Sequence, residues 1–165
     1  MTTKSHCIAN AVVAFALTAR PEVAVAAMLT ATLPDQLEWF LPLGRHRGAS
    51  HWLLLWLAGI VAVPWYAREA LVRQLSPGWS QFLHGCPEVH LLLGTCLFGL
   101  ALGPFLHVLL DGCSDSGVPV APFSRWQLKL GIYRTYSHRW RWDVSEWLFL
   151  VGLIVVCAVF WRVHG

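Results

Sequence analysis

The sequence predicts an all-α fold: a compact helical integral membrane protein, one membrane-embedded domain over residues 1–165, with three or four membrane segments or a helical hairpin plus three spans. Three observations lead there. Of the 165 residues, 56% are hydrophobic and only 13% charged, too little polar surface to cover the core that a soluble chain of this size would build. The apolar residues are gathered into charge-free runs. Trp39, Trp52, Trp65, Trp147 and Trp161 flank those runs, as an interfacial aromatic belt does.

From Ile8 to Leu33 the chain is apolar except around Arg20-Pro21-Glu22. A proline with a glutamate behind it reads as one helix stopping and another starting. Each arm is shorter than the ~20 residues that cross a bilayer, which leaves a shallow helical hairpin or a single kinked span. Lys4 ahead of this stretch superficially resembles a leader, but His6 and Arg20-Pro21 interrupt that pattern, and the later runs would hold the product in a membrane anyway. Trp52 to Ala67 is a short second segment, with Pro64 inside it and Arg68 at its end. Val89 to Leu110 is the clearest span, and Gly94, Gly99 and Gly103 along it permit close helix contacts. Val144 to Trp161 opens with Glu146 and stays apolar up to Arg162.

The connection from Asp111 to Asp143 differs. Gly112, Gly117, Pro119 and Pro122 precede Arg125, Lys129, Arg134, Arg139 and Arg141, interleaved with aromatics. Such a segment suits a basic, membrane-facing connection that meets lipid headgroups or a polyanion. The net charge of +3 is spread over particular connections instead of forming one stripe, which argues for topology setting and against specific nucleic-acid binding. The five cysteines include no CxxC pair, so neither a disulfide framework nor a cysteine zinc knuckle is indicated. Oligomeric state is not legible.

Coordinating side chains collect at the ends of the apolar runs. His6 opens the first, Asp35 and Glu38 follow it, His46 and His51 precede the second, His107 and Asp111 close the third, and Glu146 opens the last. Ionisable groups at membrane depth are costly unless paired, hydrated or bound to metal. His107 and Asp111 share a helix face at i,i+4 if the helix continues that far, and Asp35 and Glu38 do so at i,i+3. His46 to His51 looks like a glycine-containing turn that feeds a histidine into the next helix. If Trp52–Ala67 and Val89–Leu110 cross in opposite directions, Asp35, His46, His51, His107, Asp111 and Glu146 return to one side, and His6 joins them only on the hairpin alternative. A mixed nitrogen and oxygen set suits a divalent transition metal, zinc or manganese ahead of iron. More than four candidates permit one ion, or two bridged by a carboxylate.

His6, Leu33-Pro34-Asp35, the run from His46 to His51, and His107-Val-Leu-Leu-Asp111 followed by Gly117-Val118-Pro119 occur in an order that covers most of the chain. In these features the sequence resembles the LexA-regulated, inner-membrane-bound metal-dependent hydrolase family, also called the YdjM-like family. After Leu-Pro-Asp that family carries a second aspartate and then a histidine, where this chain has Leu37 and Glu38. The resemblance implies a bacterial or phage-encoded, multi-pass inner membrane protein and a hydrolase. The expected activity is hydrolysis of a phosphoester or lipid-linked substrate at the cytoplasmic membrane face. His6, Asp35, His46, His51, His107 and Asp111 are the candidate metal ligands, Glu38 or Glu146 would orient or deprotonate a water, and Arg47 would stabilise phosphate charge. A non-enzymatic membrane binding or adaptor protein, and a small ion or proton-coupled transporter, stay open as alternatives. No inverted repeat, nucleophile elbow or Walker-type glycine loop is present.

Overall fold

Helix α1 runs over Thr3–Thr18 and α2 over Pro21–Thr30. Between them Ala19 takes a left-handed conformation at φ 58°, and its N–H donates to the Phe15 carbonyl, closing the first helix. Arg20 is extended, and Pro21 and Glu22 then open the second. The arms fold back on each other, with Ala14 of α1 packed among Val23, Ala24 and Ala27 of α2. Residues beyond the end of α2 therefore return to the level of His6, so the break makes a hairpin and not a kinked span.

The computed structural model describes residues 2–40, 49–74, 87–121, 125–134 and 144–164. After the hairpin come α3 (Leu33–Phe40), a 3-10 turn (Ala49–His51), α4 (Leu53–Gln74), α5 (Pro87–Gly112) and α6 (Val144–His164). The all-α expectation holds, with one addition that the sequence did not announce. Val118–Pro119 (β1) and Gln127–Leu128 (β2) pair as a two-residue antiparallel ladder within the connection after α5. Helix α4 also continues past the expected end at Ala67, through Arg68 to Gln74.

Helix α5 is the axis on which the rest is hung. It lies parallel to α2: Thr95 Oγ1 donates to Glu22 Oε1 at 3.5 Å, a side chain at Gly99 would strike Val23 and Ala26, and one at Gly103 would strike Ala27 and Thr30. Two of the three glycines thus serve the close approach expected of them, while Gly94 has open space at its Cβ position. Helix α1 lies alongside α6 in the same direction, since the Thr2 N–H donates to Glu146 Oε1 at 2.7 Å at one end and the Phe15 ring packs on Trp161 at the other. Leu102 and Leu106 of α5 complete the core with the alanines of the hairpin. Small residues let the backbones approach, which is how helices associate where burial from water supplies no drive.

Among the described residues, Leu92–Gly112 and Val144–Val163 are long and apolar enough to cross a membrane, and α4 contributes the shorter apolar stretch Leu53–Ala62. Val144, Leu148, Val151, Val155, Val156, Val159 and Val163 of α6 are all exposed. An apolar face of that extent is at home against lipid and not against water.

Candidate metal centre

Helix α5 continues through Asp111, so His107 and Asp111 share one face of its last turns. Across from them, α3 presents Asp35 and the 3-10 turn presents His51. The result is a ring of four donor atoms. His51 Nε2 lies 3.4 Å from Asp35 Oδ1 and 3.7 Å from Asp111 Oδ2. His107 Nε2 lies 3.5 Å from Asp35 Oδ1 and 3.7 Å from Asp111 Oδ2.

Two chemical accounts bear on these separations, a hydrogen-bond network and a set of ligands around an ion. Hydrogen bonds from N–H to oxygen run at about 2.7–3.2 Å, shorter than all four contacts, and both Nε2 atoms are buried without a hydrogen-bond partner. Nitrogen and oxygen ligands at ~2.0–2.1 Å around a tetrahedral ion stand about 3.3–3.4 Å from one another. The 3.4 and 3.5 Å separations to Asp35 Oδ1 are of the size that ligands around a zinc-sized ion show, and the 3.7 Å separations to Asp111 Oδ2 are wider.

His6 enlarges the cluster. Its ring stacks on His107 with centroids 3.9 Å apart, and its Nε2 lies 3.2 Å from Asp111 Oδ1. Asp111 thus turns one oxygen to the four-donor ring and the other to His6. Asp35, His51 and His107 form one set of converging donors, and His6, His107 and Asp111 a second. The imidazoles and Asp111 are buried, whereas the Asp35 side chain is 41% exposed, so the cluster opens toward solvent on the α3 side.

Glu38 stands behind this ring. The i,i+3 spacing on α3 lets Asp35 face one edge of the His51 imidazole while Glu38 Oε1 lies 3.0 Å from Nδ1 at the other edge. A carboxylate there would hold the proton on Nδ1 and leave Nε2 as the acceptor edge. Ser50 Oγ is 3.0 Å from the same Nδ1 and donates to Glu38 Oε1 at 3.4 Å, while Trp56 Nε1 donates to the Ser50 carbonyl at 2.6 Å and pins the turn. Replacing Glu38 by Ala is expected to weaken metal binding about 10–100-fold, as loss of such a support does, and Glu38→Gln, which keeps an acceptor, to weaken it less. Chelator competition on the folded variants measures this, and equal affinities for all three chains would remove Glu38 from the site.

Glu146 has other partners among the described residues. It accepts from the Thr2 N–H and the Ser5 hydroxyl, and so fastens the first turn of α1 to the start of α6. His46 and Arg47, along with Arg45, Arg139 and Arg141, lie outside the described residues. Sequence reasoning passed over Asn10, one turn beyond His6, which is fully buried and donates from Nδ2 to the Gly103 carbonyl at 2.7 Å. A lone asparagine inside an apolar helix was the available signal. Ser50 carried none beyond adjacency to His51.

A model of the YdjM inner membrane protein family matches residues 1–165. The chain belongs to that family. No curated protein and no solved structure matches it. As a YdjM family member the chain is an inner membrane protein, in keeping with its two long apolar helices. In this YdjM chain, Glu38 stands where the resemblance leads one to expect an imidazole, and it reaches His51 Nδ1 instead of the ring of four donors.

Proposed function

We propose that this chain is a membrane metal-dependent hydrolase acting on a phosphoester or lipid-linked substrate at the cytoplasmic face. The observation that carries the reading is the ring of Asp35, His51, His107 and Asp111, in which two buried imidazole nitrogens without hydrogen-bond partners face carboxylate oxygens at 3.4–3.7 Å. Those four residues would hold a divalent transition metal, with His6 extending the site through the second oxygen of Asp111. A metal in such a site supplies a water acidified toward neutral pH and a Lewis acid for a phosphoryl oxygen. Glu38 fixes the His51 tautomer and ring angle. The partly exposed Asp35 marks the side from which substrate and water arrive, while the buried imidazoles and Asp111 close the opposite side. Arg47 is assigned the role of countering phosphate charge.

Two readouts test this together: metal content of the detergent-purified chain, and release of phosphate from soluble aryl phosphates and from phosphate-bearing lipids. Turnover that requires metal and disappears in Asp35→Asn supports the reading. A metal-loaded, folded chain inert toward both substrate classes would make the site structural or sensory.

The cytoplasmic assignment follows the distribution of basic residues. Among the described residues, Lys4, Arg125, Lys129 and Arg134 belong to the metal-centre end and Arg20, Arg68, Arg73 and Arg162 to the other, so the bias rests on the sequence reading that adds Arg45, Arg47, Arg139 and Arg141, outside the described residues, to the former. A single cysteine at position 129 in an otherwise cysteine-free chain should react with an impermeant maleimide only after cells are opened. Labelling of intact cells would reverse the orientation.

A further inference from the structure

The segment from Arg125 to Arg134 combines two features that rarely share one surface. It is held rigidly, and it bares large apolar side chains. On the holding side, the Leu130 N–H donates to the Gly112 carbonyl at 2.9 Å, Ile132 N–H to Cys113 O at 2.8 Å and Gly131 N–H to Ser114 O at 3.3 Å. The buried Tyr133 hydroxyl donates to Leu110 O at 3.0 Å, and its ring packs on Phe149 of α6. Through the ladder, the Val120 carbonyl accepts from the Leu54 N–H at the start of α4. The segment is thus bonded to α4, α5 and α6 at the metal-centre end of each.

On the other side Trp126, Leu130 and Ile132 are 80%, 60% and 57% exposed. Arg125, Lys129 and Arg134 are exposed between and beside them. From Ser116 to Trp142 the chain carries no aspartate or glutamate. Val144, Trp147 and Leu148 at the beginning of α6, where the Arg134 N–H donates to Ser145 Oγ at 3.2 Å, are exposed as well. A tryptophan, two branched aliphatics and three cations at the end of apolar helices match the boundary between acyl chains and anionic headgroups.

We propose that residues 125–134 form a fixed interfacial foot: Trp126, Leu130 and Ile132 enter the upper acyl region, and Arg125, Lys129 and Arg134 bind the phosphates of anionic lipids. Because its backbone is bonded to Gly112 and Cys113, directly after Asp111, the foot sets the depth of the cluster. The donors around Asp111 are held close beneath the headgroup layer, within reach of a membrane-borne phosphate. The foot stands on exposure and charge alone, while the substrate consequence rests on the hydrolase reading.

The test uses the full chain in lipid nanodiscs, with spin labels on single cysteines at 126, 130 and 132, and at Val156 on the exposed face of α6 as a lipid reference. Collision with oxygen against a water-soluble nickel chelate reports depth. In discs containing phosphatidylglycerol, all three foot positions should favour oxygen, as Val156 does. In phosphatidylcholine discs, or when Arg125, Lys129 and Arg134 are all glutamine, that preference should shrink at the foot and not at Val156. Preference for the nickel chelate at all three positions in anionic discs would overturn the proposal. So would protection from both reagents with spin broadening between chains, which would make the patch a contact between copies. Metal content of the same samples is read separately, so failure of the foot and failure of the metal centre are distinguishable.

Discussion

Alanine at His107 or at Asp111 is expected to take the metal content from near one ion per chain to a small fraction of that. Each of the two supplies a donor to the four-membered ring, and Asp111 also faces His6. Losing either donor leaves an ion with three protein ligands at most on that side and removes a bond that closes the site. Asp111→Ala also strips carboxylate charge from three buried imidazoles, so helicity and monodispersity must be checked before the metal ratio is read. Asp111→Asn keeps the volume and tests the charge alone. Wild-type chain without metal, even after supplementation with zinc, manganese or iron, would sink the metal centre, as would variants that retain it in full.

The second large effect is expected at Gly103, where a methyl group would collide with Thr30 Oγ1 and the Ala27 carbonyl. Because backbone lies on the receiving side, α2 would have to move away from α5. Overpacking of this kind costs about 1–3 kcal/mol. Gly103→Ala should therefore lower the unfolding temperature in detergent by several degrees and weaken metal binding, because the Gly103 carbonyl also receives Asn10 from the helix that carries His6. Gly99→Ala, meeting Ala26 Cβ and the Val23 carbonyl at 2.7 Å, should behave similarly, whereas Gly94→Ala meets nothing within 4 Å and should be silent. Equal stability of the Gly94 and Gly103 variants would show that the hairpin is not held against α5 in this way.

The helices and the histidine positions were legible because membrane segments advertise themselves by length, and because polar residues at their ends stand out against apolar runs. Arg20-Pro21 located the hairpin break correctly, yet nothing local said whether the second arm returned. That was decided by alanines and glycines meeting across α1, α2 and α5. The spacing of Asp35 and Glu38 gave a shared face, but only the position of His51 between them shows that one carboxylate meets the Nε2 edge of the ring and the other the Nδ1 edge. Glu146 looked like any other member of the polar set. Its engagement with Thr2 and Ser5 depends on α1 lying beside α6, a pairing of opposite ends of the chain that periodicity cannot express. The short β ladder escaped because two residues per strand leave no alternation to detect.

The donors of the metal centre are scattered through the order of synthesis. His6 is made first of the five, Asp35 and His51 follow, and His107 and Asp111 arrive only when α5 is complete. At translation rates of about 5–20 residues per second, the first imidazole waits on the order of ten seconds for its partners. During that interval α1 to α4 can enter the bilayer, but no ion can find more than half of a ring. Any capture of a metal by this cluster therefore waits for α5, while α6, which fastens to α1 through Glu146, is still to be made.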